Sequence, residues 1–330
     1  MKTILVTGGA GYIGSHTVLE ILDSGYEVIV VDDYSNSNPV VIQKLEQISG
    51  KKIKIYANDL KSDIDFIFRN HNIDGVIHFA AYKAVGESVQ DPIKYYDNNI
   101  NSLLNVLVCC KRYNVNNFVF SSSCSLYGNV EKLPVNEETN LSDPESPYAY
   151  TKLVGERIIS DFCKVTNLKA VALRYFNPVG AHYSGLIGEL PINKPSNIIP
   201  VICNSVSGDE LTVFGSDYST DDGTCVRDYV HVSDIANAHL KALQWMSQSD
   251  CKFEVFNLGS ETGVSVLQLI SAFEKHNLVK VRWKFGPRRP GDVVSIYSDS
   301  TKAKKILNWK PTRTTEDMVK SAWIWYKNKS

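Results

Sequence analysis

Metal-ligand spacing is missing from this 330-residue sequence. Its 7 cysteines (Cys109, Cys110, Cys124, Cys163, Cys203, Cys225 and Cys251) are odd in number and scattered, and its 7 histidines form no cluster. An unpatterned odd set fits small buried thiols in a reducing compartment, not a disulfide scaffold or a zinc site. We expect a cytoplasmic, metal-free protein. Long hydrophobic runs are missing too. Nothing approaches the roughly 20 apolar residues of a membrane span. The apolar start, Ile4-Leu5-Val6, is too short for a signal-peptide core. Neither charge dominates, with 35 Lys plus Arg against 36 Asp plus Glu. That balance excludes a general nucleic-acid surface, so an anionic ligand must be held by local charges. Internal repeats and low-complexity segments are also lacking.

What is present is an alternation. Short apolar runs at 4–6, 28–31, 53–56, 76–79, 118–120 and 171–173 read as strands. Helical patterns fall between them, at 12–23, 62–70, 98–112 and 148–164. Strands apolar on both faces and separated by helices predict a parallel sheet covered on both sides. After Asn177 the rhythm breaks into a long stretch rich in Pro and Gly, and such loops are usually functional. A helix over 233–247 with Ser233 as N-cap and another over 264–276 follow. The expected fold is α/β: a Rossmann-like doubly wound parallel sheet with a smaller C-terminal α/β substrate domain. The expected division is 1–177 and 178–330, with some later segments returning to the first domain.

Thr7-Gly8-Gly9-Ala10-Gly11-Tyr12-Ile13-Gly14 lies between the first strand and first helix. Gly8, Gly11 and Gly14 fit G-x-x-G-x-x-G, and Gly9, Gly11 and Gly14 fit G-x-G-x-x-G. Such a turn brings backbone close to a pyrophosphate at a helix N-terminus. The strand–turn–helix context makes the motif specific. Asp32 ends the second strand, about twenty residues on, where a carboxylate accepts from ribose hydroxyls. Asp32 and Asp33 without an arginine favour NAD over NADP. Asp59 is either an adenine contact or a helix N-cap.

Tyr148 and Lys152 are i and i+4 on one helix and share a face, while Tyr150 points elsewhere. A tyrosine of reference pKa about 10 becomes a base when a nearby ammonium favours its phenolate. Alone, the spacing also describes an amphipathic helix with a surface lysine. Ser121-Ser122-Ser123 closes the preceding strand, at the end that faces the ligand crevice in open α/β sheets.

With these motifs, the chain resembles the extended short-chain dehydrogenase/reductase family, most closely its UDP-glucose 4-epimerase branch, nearly end to end. Lys83-Ala84-Val85-Gly86-Glu87-Ser88, Tyr95-Tyr96-Asp97-Asn98-Asn99, the run from Arg174 to His182, Asp222-Gly223-Thr224, Val226-Arg227-Asp228-Tyr229 and Arg288-Arg289-Pro290-Gly291-Asp292 carry the match. The resemblance implies reversible interconversion of UDP-galactose and UDP-glucose through a 4-keto sugar, with transient hydride transfer to bound NAD, in a homodimer. The catalytic serine, tyrosine and lysine fall on Ser123, Tyr148 and Lys152. NAD contacts fall on Gly8, Gly11, Tyr12, Ile13 and Gly14 at the turn, and on Asp32, Asn36 and Ser37 after the second strand. Asp59, Leu60, Phe79, Ala80, Lys83, Asn98, Ser121 and Phe176 complete them, with Tyr148 and Lys152. The UDP-sugar falls to Ser123, Tyr148, Asn177, Asn197, Phe214, Arg227, Arg289, Asp292 and Ile296. Forked permanent cations such as Arg227 and Arg289 suit a diphosphate.

The chain departs from the pattern at three places. Ala81 stands where members often have glycine, and Cys124 replaces a small residue. Ile296 takes a position lining the sugar pocket that is a tyrosine or a smaller residue elsewhere and bears on whether a 2-acetamido group fits. A 4,6-dehydratase would carry two acids directly after the catalytic serine or threonine, where this chain has Cys124 and Ser125. A uronic-acid enzyme would need a cation for the sugar carboxylate, and the stretch from Lys83 to Ser88 looks like the neutral-sugar version. A non-catalytic NAD sensor usually lacks the tyrosine or the lysine, and both stand here.

Overall fold

A five-residue apolar strand, β1 (Thr3–Thr7), meets the glycine turn at once and gives way to α1 (Tyr12–Asp23). The computed structural model describes residues 2–141, 143–192, 195, 197–289 and 292–329. The chain continues through β2 (Glu27–Val31), α2 (Val40–Ser49), β3 (Lys54–Tyr56), α3 (Asp65–Asn70), β4 (Gly75–His78) and α4 (Val85–Gln90). Next come α5 (Pro92–Arg112), β5 (Asn117–Ser123), α6 (Pro147–Lys164) and β6 (Lys169–Tyr175). The remainder is β7 (Asn177–Val179), α7 (Ile198–Ser207), β8 (Leu211–Phe214), β9 (Val226–His231), α8 (Val232–Met246) and β10 (Phe253–Leu258). It ends with β11 (Gly263–Ser265), α9 (Val266–Asn277), β12 (Trp283–Gly286), β13 (Ser295–Ile296), α10 (Thr301–Ile306) and α11 (Thr315–Asn328).

Seven parallel strands form the main sheet in the order β10-β6-β5-β4-β1-β2-β3. The strand period of two sorts its side chains into two layers. Ile4 and Val6 point into a core shared with Val18, Ile21 and Leu22 of α1 and Ile235 and Leu243 of α8. Leu5 points the other way, among Ile67 and Phe68 of α3, Leu103 and Leu107 of α5 and Ile159 of α6. Strand order reverses between β1 and β4, and the crevice at such a switch point receives the ligand. Three elements from beyond residue 178 belong to this layer system: β10 pairs β6, α8 packs on α1, and α10 packs on β10 with Ala303 in the same core. The rest of the C-terminal part builds small sheets around β9 and from β8 with β12, over a separate core of α7, α9 and α11.

Several expected boundaries move. The helix expected from residue 98 begins at Pro92, because Asp91 accepts from Lys94 N at 3.2 Å and proline occupies the first turn. Its apolar stripe starts only at Leu103, which hid the polar opening turns. The helix expected over 62–70 begins at Asp65, since Asp59 O turns the chain back on Ser62 N at 3.0 Å. Ser233 is not an N-cap: His231 caps α8, its Nδ1 accepting from Ser233 N at 3.1 Å. The helix expected from 264 starts at Val266 behind a Ser265–Gln268 capping box. Among the described residues no helix is long and apolar enough to cross a membrane, and no group of three or more His, Cys, Asp or Glu is placed to hold a metal.

Candidate active site

One cleft of about 2150 Å³ runs along the carboxyl ends of the main-sheet strands and under the C-terminal part. That exceeds the roughly 300–1,000 Å³ of a single small-molecule site. It is lined by every residue to which the resemblance gives a contact, from Gly8 to Ile296.

Its deep wall is the glycine turn. Gly8 has φ +69, and a Cβ there would lie 2.8 Å from Ala80 N. At Gly14 a Cβ would lie 2.2 Å from Gly8 O, so turn and helix pack only without side chains. Gly11 opens α1 with no side chain capping it, which leaves helix N–H groups for an anion. Asp32 accepts from Ala10 N at 2.9 Å, Tyr34 N at 3.0 Å and Ser37 Oγ at 2.7 Å. Burial pushes its carboxyl up and these three bonds oppose that. A carboxylate accepts about four bonds, so capacity remains for a ribose hydroxyl. Cradle, helix end and acid thus fit a dinucleotide. Asn36 lines the same wall and Tyr12 is anchored through its hydroxyl to Gly180 O at 2.6 Å. Asp59 is no helix cap: its Oδ1 accepts from Lys61 N at 2.8 Å in a turn beside Leu60.

The middle of the cleft brings Ser123, Tyr148 and Lys152 together. Lys152 is only 4% exposed, and its Nζ donates to Ser121 O at 2.7 Å. The same Nζ sits 5.9 Å from the centroid of the Tyr148 ring. Ser123 is the neighbour that favours an ionised Tyr148. Burial pushes Tyr148 up to about 12, opposed by Ser123, and pulls Lys152 down to about 7, opposed by Glu156. Tyr150, two residues on, is 46% exposed. Phe79 leans on His239 at 4.7 Å between centroids, Phe176 is buried, and Asn98 bonds Asn99 Oδ1 at 3.1 Å.

The outer end is cationic. Arg227 of β9 and Arg289 both face Asp292, at 3.8 and 2.6 Å. One carboxylate therefore gathers two guanidiniums. Arg289 also lies over the Phe214 ring, 5.7 Å from its centroid. Ile296 pairs with Arg227 in register and is buried beside Phe176 and Tyr127. Asn177 opens β7 and Asn197 precedes α7.

Sequence reasoning missed Glu189, which binds Lys83 Nζ at 3.0 Å and also accepts from Asn197 Nδ2. No local spacing announces a partner 106 residues away. It also missed Glu156, for which the i+4 step from Lys152 was an available signal.

A Rossmann sheet with a Tyr-x-x-x-Lys helix and an added C-terminal α/β part is the architecture of an extended short-chain dehydrogenase/reductase. The family model described as GDP-mannose 4,6 dehydratase matches residues 5–322. A UDP-glucose 4-epimerase from Pasteurella multocida is 47% identical over 98% of this chain and 97% of its own length. One from Bacillus subtilis is 45% identical over 98% and 96%. The crystal structure of UDP-glucose 4-epimerase from Stenotrophomonas maltophila with bound NAD and formylated UDP-arabinopyranose superposes with TM-score 0.97 at 41% identity, covering 100% of this chain and 99% of that one. That from Bifidobacterium longum in complex with NAD+ and UDP gives 0.95 at 45%, covering 99% and 98%. The chain belongs to the UDP-glucose 4-epimerase family. The dehydratase in the family model's description is not echoed in the site. Cys124 and Ser125 form a 3-10 turn after Ser123, and burial pushes the Cys124 thiol up to about 12, leaving it neutral.

Proposed function

We propose that the protein is an NAD-dependent UDP-glucose 4-epimerase, an isomerase interconverting UDP-galactose and UDP-glucose in galactose metabolism. The observation that carries the reading is the Ser123–Tyr148–Lys152 group between a dinucleotide cradle and a two-arginine clamp in one cleft. Bound NAD supplies a hydride acceptor and donor at its nicotinamide ring. Gly8, Gly11 and Gly14 admit its diphosphate, Asp32 takes the adenosine ribose, and Lys152 takes the nicotinamide ribose. Tyr148, as phenolate beside the Lys152 ammonium, removes the sugar 4-hydroxyl proton with Ser123 as bridge. The 4-keto sugar turns over in the pocket, and Tyr148 returns the proton to the epimer. Arg227 and Arg289 hold the diphosphate throughout, so binding energy anchors UDP while the hexose stays loosely held. Residues 1–177 with the returning segments of α8, β10 and α10 form the cofactor part, and the rest of 178–330 the UDP-sugar part.

Incubating the purified protein with UDP-galactose, with no NAD added, is expected to yield a mixture with UDP-glucose by chromatography. Silence there and again with added NAD would discard the epimerase assignment in favour of a cofactor sensor or a related nucleotide-sugar enzyme.

We read the protein as a cytoplasmic homodimer. Leu104 and Val108 on α5 and Tyr150 on α6 are 42%, 51% and 46% exposed, so an apolar strip faces outward on neighbouring helices. Light scattering at micromolar concentration should give about twice the chain mass, and a monomer throughout would remove the dimer.

A further inference from the structure

The face of α6 that carries Tyr148 and Lys152 continues by the same i, i+4 step to Glu156. Glu156 is only 6% exposed. Arg174 of β6 takes both its oxygens, Nε at 2.9 Å and Nη2 at 2.7 Å. A third donor is the Ser122 hydroxyl. Ser122 stands between the two serines that line the cleft: Ser121, whose carbonyl receives Lys152, and Ser123, which favours an ionised Tyr148. The strand period of two turns the Ser122 side chain to the opposite side from the Ser121 and Ser123 side chains. The other end of Arg174 donates to the Tyr127 hydroxyl at 3.0 Å, which donates to Asn257 Oδ1 of β10 at 2.7 Å. One polar network therefore ties α6, β5, β6 and β10 together directly behind the reactive group.

Stability alone does not account for it. A buried ion pair loses much of its Coulomb gain to desolvation, and apolar residues of similar volume often do as well. Its placement one turn from Lys152 does. We propose that Glu156 is a positioning residue for the Tyr148–Lys152 pair. Clamped by Arg174, its carboxylate pins the Ser121–Ser123 strand end to α6 and supplies the anion that keeps the Lys152 amine an ammonium. The proposal rests on Tyr148 acting as the base.

The charges around Lys152 are few. Its own helix offers Tyr148 and Glu156. From β4 comes His78, which burial holds neutral by pulling it down to about 3. Tyr148 in turn helps to raise Tyr175 of β6 and Tyr95 of α5, and Arg174 is already paired to Glu156. Glu156 is the group that opposes the downward pull of burial on Lys152.

The test compares E156Q and E156D with wild type as NAD-loaded full chains, following kcat and KM for UDP-galactose from about pH 6 to 9.5, with melting temperature. E156Q should lower kcat about tenfold or more with KM changed little. Its alkaline limb should move about one unit toward lower pH, because Lys152 has lost its anion and must be charged to work. E156D keeps the charge and should restore the limb. Should E156Q fail to fold around an unpaired Arg174, E156Q/R174Q removes both charges and should move the limb in the same direction by a smaller step, because the Arg174 cation is lost with the anion. A limb in the wild-type position in either folded variant overturns the proposal. So does E156D shifted like E156Q, or a double variant that cannot fold, which would assign the pair to stability alone. Tyr148 is judged separately: near-native turnover of Y148F would overturn the base assignment, whatever Glu156 does.

Discussion

Replacing Tyr148 by phenylalanine is expected to cut kcat about 10³-fold, within the roughly 10²–10⁴ range of a general base, and to leave KM for the UDP-sugar nearly unchanged. The substitution removes one oxygen and leaves the ring, so packing in the cleft is preserved and bound NAD should still copurify. On the proposed reading, what disappears is the acceptor for the sugar proton, along with the influence of Ser123 on it. Burial has raised Tyr148 to about 12, so the phenolate exists only with cationic support, and Lys152 Nζ is the cation at hand, 5.9 Å from the ring centroid. Steady-state kinetics with an absorbance check for retained NAD would measure it. Turnover within tenfold of wild type would remove Tyr148 from the base role.

The second large effect is on stability. His16, His78, His231 and His239 are each 3% exposed or less. Burial is the leading cause that pulls His16 and His78 down to about 3 and His231 and His239 down to about 4. An unfolded histidine titrates near 6.5. Between those values the unfolded chain binds protons that the folded chain refuses, so stability falls as pH drops below about 6.5. Each imidazole contributes up to about 1.4 kcal/mol per pH unit, and four together rival the total stability of an ordinary protein within two units. Ordinary carboxylates stay ionised between pH 6.5 and 5. The buried Asp32 and Asp228 are raised by burial and act in the opposite sense, stabilising as they protonate. Urea midpoints should therefore fall steeply from pH 7 to 5, and H16Q should flatten the slope. A midpoint that stays level over that range would show that the imidazoles are not held neutral.

Both effects depend on how far apart in the chain their causes lie. The glycine turn, the acid after β2 and the Tyr148–Lys152 pair were legible because each obeys a local rule. A turn with positive φ selects glycine, a strand end presents an acid, and an i, i+4 step sets two side chains on one helix face. Helix starts were less legible wherever a side chain rather than an apolar stripe sets them, as with Asp91 before α5 and His231 before α8.

The amino-acid sequence by itself determined the alternation of strands and helices, the parallel sheet, the glycine turn and the placing of Tyr148 and Lys152 on one helix face, because periodicity and spacing act within a few residues. Only the tertiary structure decided which groups would meet. It set Glu156 against Arg174, 18 residues apart, and Lys83 against Glu189, 106 apart. It carried β10 back into the first sheet and drew Arg227 and Arg289 onto one carboxylate. It also shut four imidazoles away from water. Such contacts form when buried apolar area closes the core, and neither the charge of a group nor its partner follows from its immediate neighbours in the chain.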